Sequence, residues 1–194
     1  VKREAPDLIG LTATSPEMHN AVAIARGLKA ALNVPIVLGG VHATIFKREV
    51  LEDYPCFDYA VMGEGERVIV ELLESLGNPA KLGQVQGLIF REGGQVVQNP
   101  LPPLIPDLDQ LPFPDRTAVP PEFYFRSVPK VGHRVTAAFM SSRGCPCRCS
   151  YCAIDHIPGW RRVRFRSAQN VVDEIEYLVR ELNIPHISFN DDVL

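Results

Sequence analysis

Short apolar runs alternate with helical periodicities along the first half of the chain. Asp7 to Thr14 (D-L-I-G-L-T-A-T), Val34 to Leu38 and Asp58 to Met62 have the length and character of buried parallel strands. Each runs out into small or hydroxyl residues: Thr12 and Thr14, then Gly39-Gly40, then Gly63-Glu64-Gly65-Glu66. Between the first two runs, Met18, Ala21, Ala25, Leu28 and Leu32 recur at steps of three and four. That spacing predicts a helix over Pro16 to Leu32, with Pro16 in its first turn. Lys47 to Tyr54 predicts a short helix, and Val68, Ile69, Leu72, Leu73 and Leu76 predict another from about Glu64 to Leu76. Strand and helix alternating in this way imply a parallel α/β sheet with right-handed crossovers, half of a doubly wound domain. Ligands of such sheets lie outside the carboxyl ends of the strands. The candidate binding edge is therefore Thr12, Thr14, Gly39, Gly40, His42, Gly63 and Gly65. Glycines there admit a ligand close to the backbone, although glycine after a strand also serves ordinary turn chemistry.

Two alternating runs flank Gly93-Gly94 between Gly87 and Gln98, a hairpin signal expected to cover an edge of the sheet. Nine of the seventeen prolines follow between residues 99 and 135, so an extended linker is expected over 99–133, pinned by its Leu and Phe side chains. It separates a first domain, residues 1–98, from a second, 134–194. In the second, Arg134 to Met140 is β-rich and leads into a cysteine-dense loop. Ser167 is a good N-cap for a helix reaching about Leu182, with Val171, Val172, Ile175, Leu178, Val179 and Leu182 on its buried face. His186 to Asp192 then alternates as a second strand. Strand, loop, helix, strand is the opening of a (βα) barrel, whose site collects at the carboxyl-end loops.

Composition changes this picture little. A hydrophobic content of 46% over 194 residues supports real cores, and the net charge of −3 selects no partner class. No run approaches the length of a membrane span, and Lys2, Arg3 and Glu4 stand where a signal sequence would be apolar. A cytoplasmic protein without a membrane span is expected. The chain opens in charged residues just before a strand and stops just after another, so more sequence is expected on both sides.

Chemistry concentrates in Ser141-Ser142-Arg143-Gly144-Cys145-Pro146-Cys147-Arg148-Cys149-Ser150-Tyr151-Cys152, which holds four of the five cysteines. Disulfides are disfavoured by the crowding and the absence of a signal peptide. A structural zinc would want a second knuckle, and only His133 and His156 flank the loop. Cys145, Cys149 and Cys152 read C-x3-C-x2-C with Cys147 left over, and three thiolates can hold three irons of a [4Fe-4S] cubane, leaving the fourth iron open. This spacing, with Ser-Arg-Gly-Cys-Pro leading in, resembles the signature of the radical S-adenosylmethionine (SAM) superfamily. Upstream, G-L-T-A-T, G-G-V-H-A-T and G-E-G-E resemble the three strand-end loops of the cobalamin-binding domain that precedes many radical SAM cores.

The joint resemblance is to the cobalamin-dependent radical SAM enzymes, and it implies the rest. The fold would be a partial doubly wound, Rossmann-like cobalamin domain followed by the start of a radical SAM partial TIM barrel. Cofactors would be a [4Fe-4S] cluster on Cys145, Cys149 and Cys152, SAM, and cobalamin along the glycine and hydroxyl edge. Tyr151 would lie near the adenine. Asn190, Asp191 and Asp192 stand where the superfamily often has Gly-Gly-Glu, so a carboxylate there would meet the SAM amino group. Cys147 is expected to be a packed or spare thiol, and Cys56 to sit in a core or loop. The family's Asp-x-His-x-x-Gly motif would precede Val1, so His19 and His42 are expected as loop or rim residues and not as cobalt ligands. The five arginines between 148 and 166 could form a solvated face, or meet a SAM carboxylate or an anionic substrate. Methyl transfer is the expected reaction, with a cyclase, an oxidoreductase or a methylthiotransferase-like activity as alternatives, and a zinc-stabilised binding module as the alternative of another class. A small-molecule, natural-product or lipid substrate and an electron donor such as flavodoxin or ferredoxin would be partners. Nucleic acid is not expected.

Overall fold

The computed structural model describes residues 5–118, 125–128 and 132–193. The chain divides into two compact units: residues up to Leu104 together with His156–Pro158, and Ile105–Asp155 together with Gly159 onward.

The first unit is built on one five-stranded sheet. Strands β1 (Ile9–Thr12), β2 (Ile36–Gly39) and β3 (Tyr59–Val61) run parallel in sequence order, with Ile9 beside Ile36 and Val37 beside Tyr59. Helix α1 (Met18–Ala31) makes the first crossover and buries Met18, Ala21, Val22 and Ala25 against the sheet. Pro16 lies one turn earlier than the helix proper, in a 3-10 turn over Ser15–Glu17. The second crossover holds two short helices, α2 (Val41–Phe46) and α3 (Glu49–Asp53). Helix α2 occupies what the sequence presents as a loop. Helix α4 (Gly65–Ser75) buries Val68 and Leu72 on the other face, and α5 (Pro79–Leu82) adds Leu82 to the same cluster. The hairpin of β4 (Leu88–Glu92) and β5 (Gln95–Gln98) does more than cover an edge. β4 pairs antiparallel with β3, so the hairpin continues the sheet in the order β1-β2-β3-β4-β5.

The second unit opens within the proline-rich stretch. β6 (Phe125–Val128) lies inside the expected linker and pairs antiparallel with β7 (Gly132–Phe139). Residues 119–124 and 129–131 of that linker, and the side chain of His133, lie outside the described residues. A two-residue pair, β8 (Ser142–Arg143) with β9 (Arg164–Phe165), closes the base of the cysteine loop. Helix α6 (Ala168–Glu176) starts at Ser167, whose hydroxyl accepts the Asn170 N–H at 3.1 Å, and it continues as a π-helical turn over Tyr177–Glu181. β10 (His186–Phe189) returns parallel to β7, with His186 beside Thr136 and Phe189 beside Phe139. Strand, helix and parallel strand therefore form one βαβ unit, with β6 on its outer side. The buried face of α6 differs from the expected one. Val172 and Val179 are about half exposed (48% and 46%), whereas Glu174, at 2%, is buried with Leu178. Among the described residues no helix is long and apolar enough to cross a membrane.

Candidate functional site

The carboxyl ends of β1, β2 and β3 are laced together by the first turns of α2. Gly40 turns the chain at φ +94°, and a Cβ there would stand 2.6 Å from Thr12 Oγ1 and 3.1 Å from the Ala13 carbonyl. Only glycine suits that conformation and that approach. From this corner the His42 N–H donates to the Ala13 carbonyl at 3.3 Å, and His42 Nδ1 shares a hydrogen bond with Ser15 Oγ at 3.0 Å. The imidazole is stacked on Phe46, centroid to centroid 4.3 Å. It is 8% exposed, and burial lowers its pKa from the ordinary histidine value. Two residues on, Thr44 Oγ1 donates to the Gly40 carbonyl at 3.0 Å and accepts the Gly63 N–H at 3.0 Å, which ties the β2 loop to the β3 loop.

The expected edge residues thus take distinct places. Gly40, His42 and Gly63 belong to this lacing, while Gly39 ends β2 and Gly65 starts α4. Thr12 is exposed at the end of β1. Thr14 is already engaged, its N–H and hydroxyl both donating to Glu17 Oε2 at 2.9 and 2.7 Å. His42 is a buried helix residue where a rim residue was expected, because the turn at Gly40 swings it under the loops. Ser15 and Thr44 carry no sequence signal of this role, although Thr44 stands within the G-G-V-H-A-T stretch itself. Donors and acceptors here are hydroxyls, backbone and one imidazole held towards neutrality. That chemistry suits an uncharged, hydrogen-bonding ligand better than an ionic one.

The cysteine loop leaves the carboxyl end of β7. At its root, Asp191 Oδ1 accepts from Ser141 N at 2.9 Å, Ser141 Oγ at 3.0 Å and Ser142 Oγ. Asp192 accepts the Trp160 indole N–H at 2.9 Å, and the Trp160 carbonyl accepts the Cys145 N–H at 3.0 Å. Gly144, at φ +101°, presses against the same return segment, where a Cβ would meet the Trp160 and Arg162 carbonyls at 2.6 and 2.7 Å. Arg161 donates to the Pro146 and Cys147 carbonyls and pairs with Asp155. The loop is therefore held by its backbone at both ends.

Its thiols are free. Cys145 is buried, Cys152 is half-buried, and Cys147 and Cys149 are exposed. A hydrogen bond with Cys145, followed by repulsion from Cys145 and Cys149, raises the pKa of Cys147. Among the described residues no trio of His, Cys, Asp or Glu is gathered at metal-binding distance. The thiols are nonetheless soft donors on irregular backbone, a set that suits thiophilic metals and iron–sulfur clusters alike. Among the described residues Asp191 Oδ2 is buried without a hydrogen-bond partner, which leaves one acceptor open at the loop root. The other two residues of that strand end are placed differently. Asn190 is exposed beside Ser188, and Asp192 is taken by Trp160. Tyr151 is 90% exposed. The five arginines do not form one patch. Arg164 donates to the Ile105 carbonyl, Arg166 is drawn inward to Glu174, and Arg148 and Arg162 are exposed.

Comparison with known proteins finds relatives over almost the whole chain and a domain family over its first part. Residues 1–73 match the B12 binding domain family. An uncharacterized methyltransferase of Pyrococcus horikoshii is 34% identical over 99% of this chain and 41% of its own length. The anaerobic magnesium-protoporphyrin IX monomethyl ester cyclase of Cereibacter sphaeroides is 36% identical over 96% of this chain and 30% of its own. Among solved structures, the radical S-adenosylmethionine methyltransferase TsrM from Kitasatospora setae, with cobalamin and a [4Fe-4S] cluster bound, superposes with a TM-score of 0.67. It is 22% identical over 96% of this chain and 37% of that one. Residues 1–73 belong to the B12 binding domain family, and the chain as a whole has the fold of the radical SAM methyltransferase structure on which it superposes. The chain spans about two fifths of the first of these relatives and under a third of the second. Within the B12-binding radical SAM fold, β1 to α4 fall in the stretch matched as B12 binding, apart from the last residues of α4.

Proposed function

We propose that this protein is a radical SAM enzyme that uses cobalamin, most simply as a methyltransferase. The observation that carries the reading is the pairing in one chain of a B12-binding match over residues 1–73 with a C-x3-C-x2-C loop at the end of a parallel strand. In this reading residues 1–98 hold cobalamin along Thr12, Thr14, Gly39, Gly40, His42, Gly63 and Gly65. Residues 134–194 begin the radical SAM core, and the stretch 99–133 joins the two. Cys145, Cys149 and Cys152 are the cluster ligands, and Cys147 is spare. Asp191 accepts from the SAM ammonium through its unpartnered oxygen, flanked by Asn190 and Asp192, and Tyr151 packs near the adenine. When bound, cluster and SAM supply one-electron cleavage of a carbon–sulfur bond, and cobalamin supplies a methyl carrier. The chain's own contribution is to hold and orient: thiolates as ligands, Asp191 as acceptor, and an uncharged edge for the corrin. A small-molecule substrate and a flavodoxin- or ferredoxin-like electron donor complete the proposal.

Anaerobic reconstitution of the full-length protein with iron and sulfide tests it. The expected result is brown protein with about four irons per chain, lost in Cys145→Ala, Cys149→Ala or Cys152→Ala and kept in Cys147→Ala, together with retained cobalamin. Colourless protein holding one zinc would overturn it. The similarity to a cyclase supports ring closure as a second reading. Product mass separates the two, since methyl transfer adds a CH2 and ring closure does not.

A further inference from the structure

Four consecutive carbonyls lead from β7 into the cysteine loop, and each accepts from a donor elsewhere in the second unit. Arg116 Nη2 donates to Ala138 at 2.8 Å, Asn190 N to Phe139 at 2.7 Å, Arg166 Nη1 to Met140 at 3.0 Å, and Arg166 N to Ser141 at 2.9 Å. Two of these four grips come from guanidinium groups, and both guanidiniums converge on one carboxylate. Glu174 Oε2 lies 2.6 Å from Arg166 Nη1, and Oε1 lies 3.3 Å from Arg116 Nη2. Glu174 is 2% exposed and sits on α6, which contributes no cysteine. A rigid fork such as guanidinium can face a carboxylate and a carbonyl at once, and here both do.

We propose that Glu174 is a positioning residue of the cysteine loop. By holding Arg116 and Arg166 it fixes the Ala138 and Met140 carbonyls, and so sets the direction in which the chain leaves β7 towards Cys145. Among the described residues the carboxylate's ion pairs are with these two arginines, neither of which carries a thiol. Arg166 is further confined by Phe139 and Phe113, whose rings lie 4.9 and 5.5 Å from its central carbon, and by Asn170 Oδ1 at 2.6 Å from Nε. A plain stabilising role would be served as well by apolar side chains, since buried ion clusters are often replaceable by well-packed hydrophobic groups. What apolar side chains cannot do is donate to the two carbonyls. The proposal rests on the functional reading above only where it says that the loop holds a cluster.

The test uses the full-length protein, with hydrogen exchange of the Ser141–Cys145 amides before metal loading and iron content after it. Glu174→Gln is expected to keep its circular dichroism, to exchange at least tenfold faster over these amides than wild type, and to retain severalfold less iron. Strand β10 is the internal control and stays unchanged. Unaltered exchange over Ser141–Cys145 in folded Glu174→Gln overturns the proposal. Should that variant not fold, the triple replacement Glu174→Leu, Arg116→Met, Arg166→Met takes its place. It supports the proposal if it folds with a loosened loop, and overturns it if the loop is as protected as in wild type or if it too fails to fold. Wild-type protein that takes up no iron, yet shows the exchange difference, sinks the functional reading and leaves the positioning role standing.

Discussion

The carboxyl edge of the first unit and the root of the cysteine loop solve the same problem in opposite ways. Each must hold several loops in register at the carboxyl end of parallel strands. At the first edge the bridges are neutral: an imidazole against a serine, and a threonine hydroxyl between two loops. At the second they are charged: Asp191 with three donors, and Glu174 with two arginines. Neutral hydrogen bonds contribute about 1 kcal/mol net, whereas breaking a buried ion pair costs roughly 3–5 kcal/mol. The first edge is therefore compliant and the second stiff.

The largest effect should separate the two through their glycines. Gly144→Ala would put a Cβ 2.6 and 2.7 Å from two backbone carbonyls, of which that of Trp160 is held by the Cys145 N–H, at a φ of +101°. Left-handed strain of about 1–3 kcal/mol and overlap of similar size add there, so roughly 3 kcal/mol or more should be lost. Gly40→Ala would meet the exposed Thr12 hydroxyl, which can turn away, and the Ala13 backbone at 3.1 and 3.3 Å, which must give by only a few tenths of an ångström. Its cost should be mostly the strain, about 2 kcal/mol, and Thr12→Ala alongside it should recover part. Urea unfolding of the four proteins measures both. Equal losses at the two glycines would contradict the contrast between a stiff root and a compliant edge.

What was legible in the sequence follows the same division. The neutral edge could be read, because Gly39-Gly40, Gly63 and the strand ends are local signals that need no tertiary partner. Even so, G-G-V-H-A-T reads as loop, since a six-residue helix is too short to show a period. The charged root could not be read in the same way. Glu174 falls on the i, i+3, i+4, i+7 face of Val171, Ile175 and Leu178, but a glutamate at a buried position looks like an error until its arginines are found 58 and 8 residues away. β6 was hidden among prolines for a related reason. Its pairing partner β7 supplies the order that its own composition does not signal.

A middle-sized effect probes the compliant edge directly. Thr44 is 3% exposed, and Thr44→Val keeps its shape while removing the hydroxyl that accepts the Gly63 N–H. An amide left without its partner costs about 1–3 kcal/mol. The loss should appear in urea unfolding, together with weaker cobalamin retention in the full-length protein. Full stability in Thr44→Val would mean that the β2 and β3 loops are held together by something other than this bridge.

The smallest effect is the most specific to a neutral edge, because it depends on pH. Burial lowers the pKa of His42 below its unfolded value of about 6.5. Between those two values the unfolded chain binds a proton that the folded chain refuses, so stability falls as pH falls. The contribution is whole above about pH 6.5 and is lost as pH drops through the folded pKa. His42→Gln cannot take up that proton, whereas every other titrating group is common to both proteins. The difference in unfolding free energy, wild type minus His42→Gln, should therefore shrink on going from pH 8 to pH 5, and Ser15→Ala should weaken wild type by about 1 kcal/mol at the higher pH. A difference that stays constant over that range would show that the imidazole is not held neutral, and the contrast between the two regions would then lose its chemical basis.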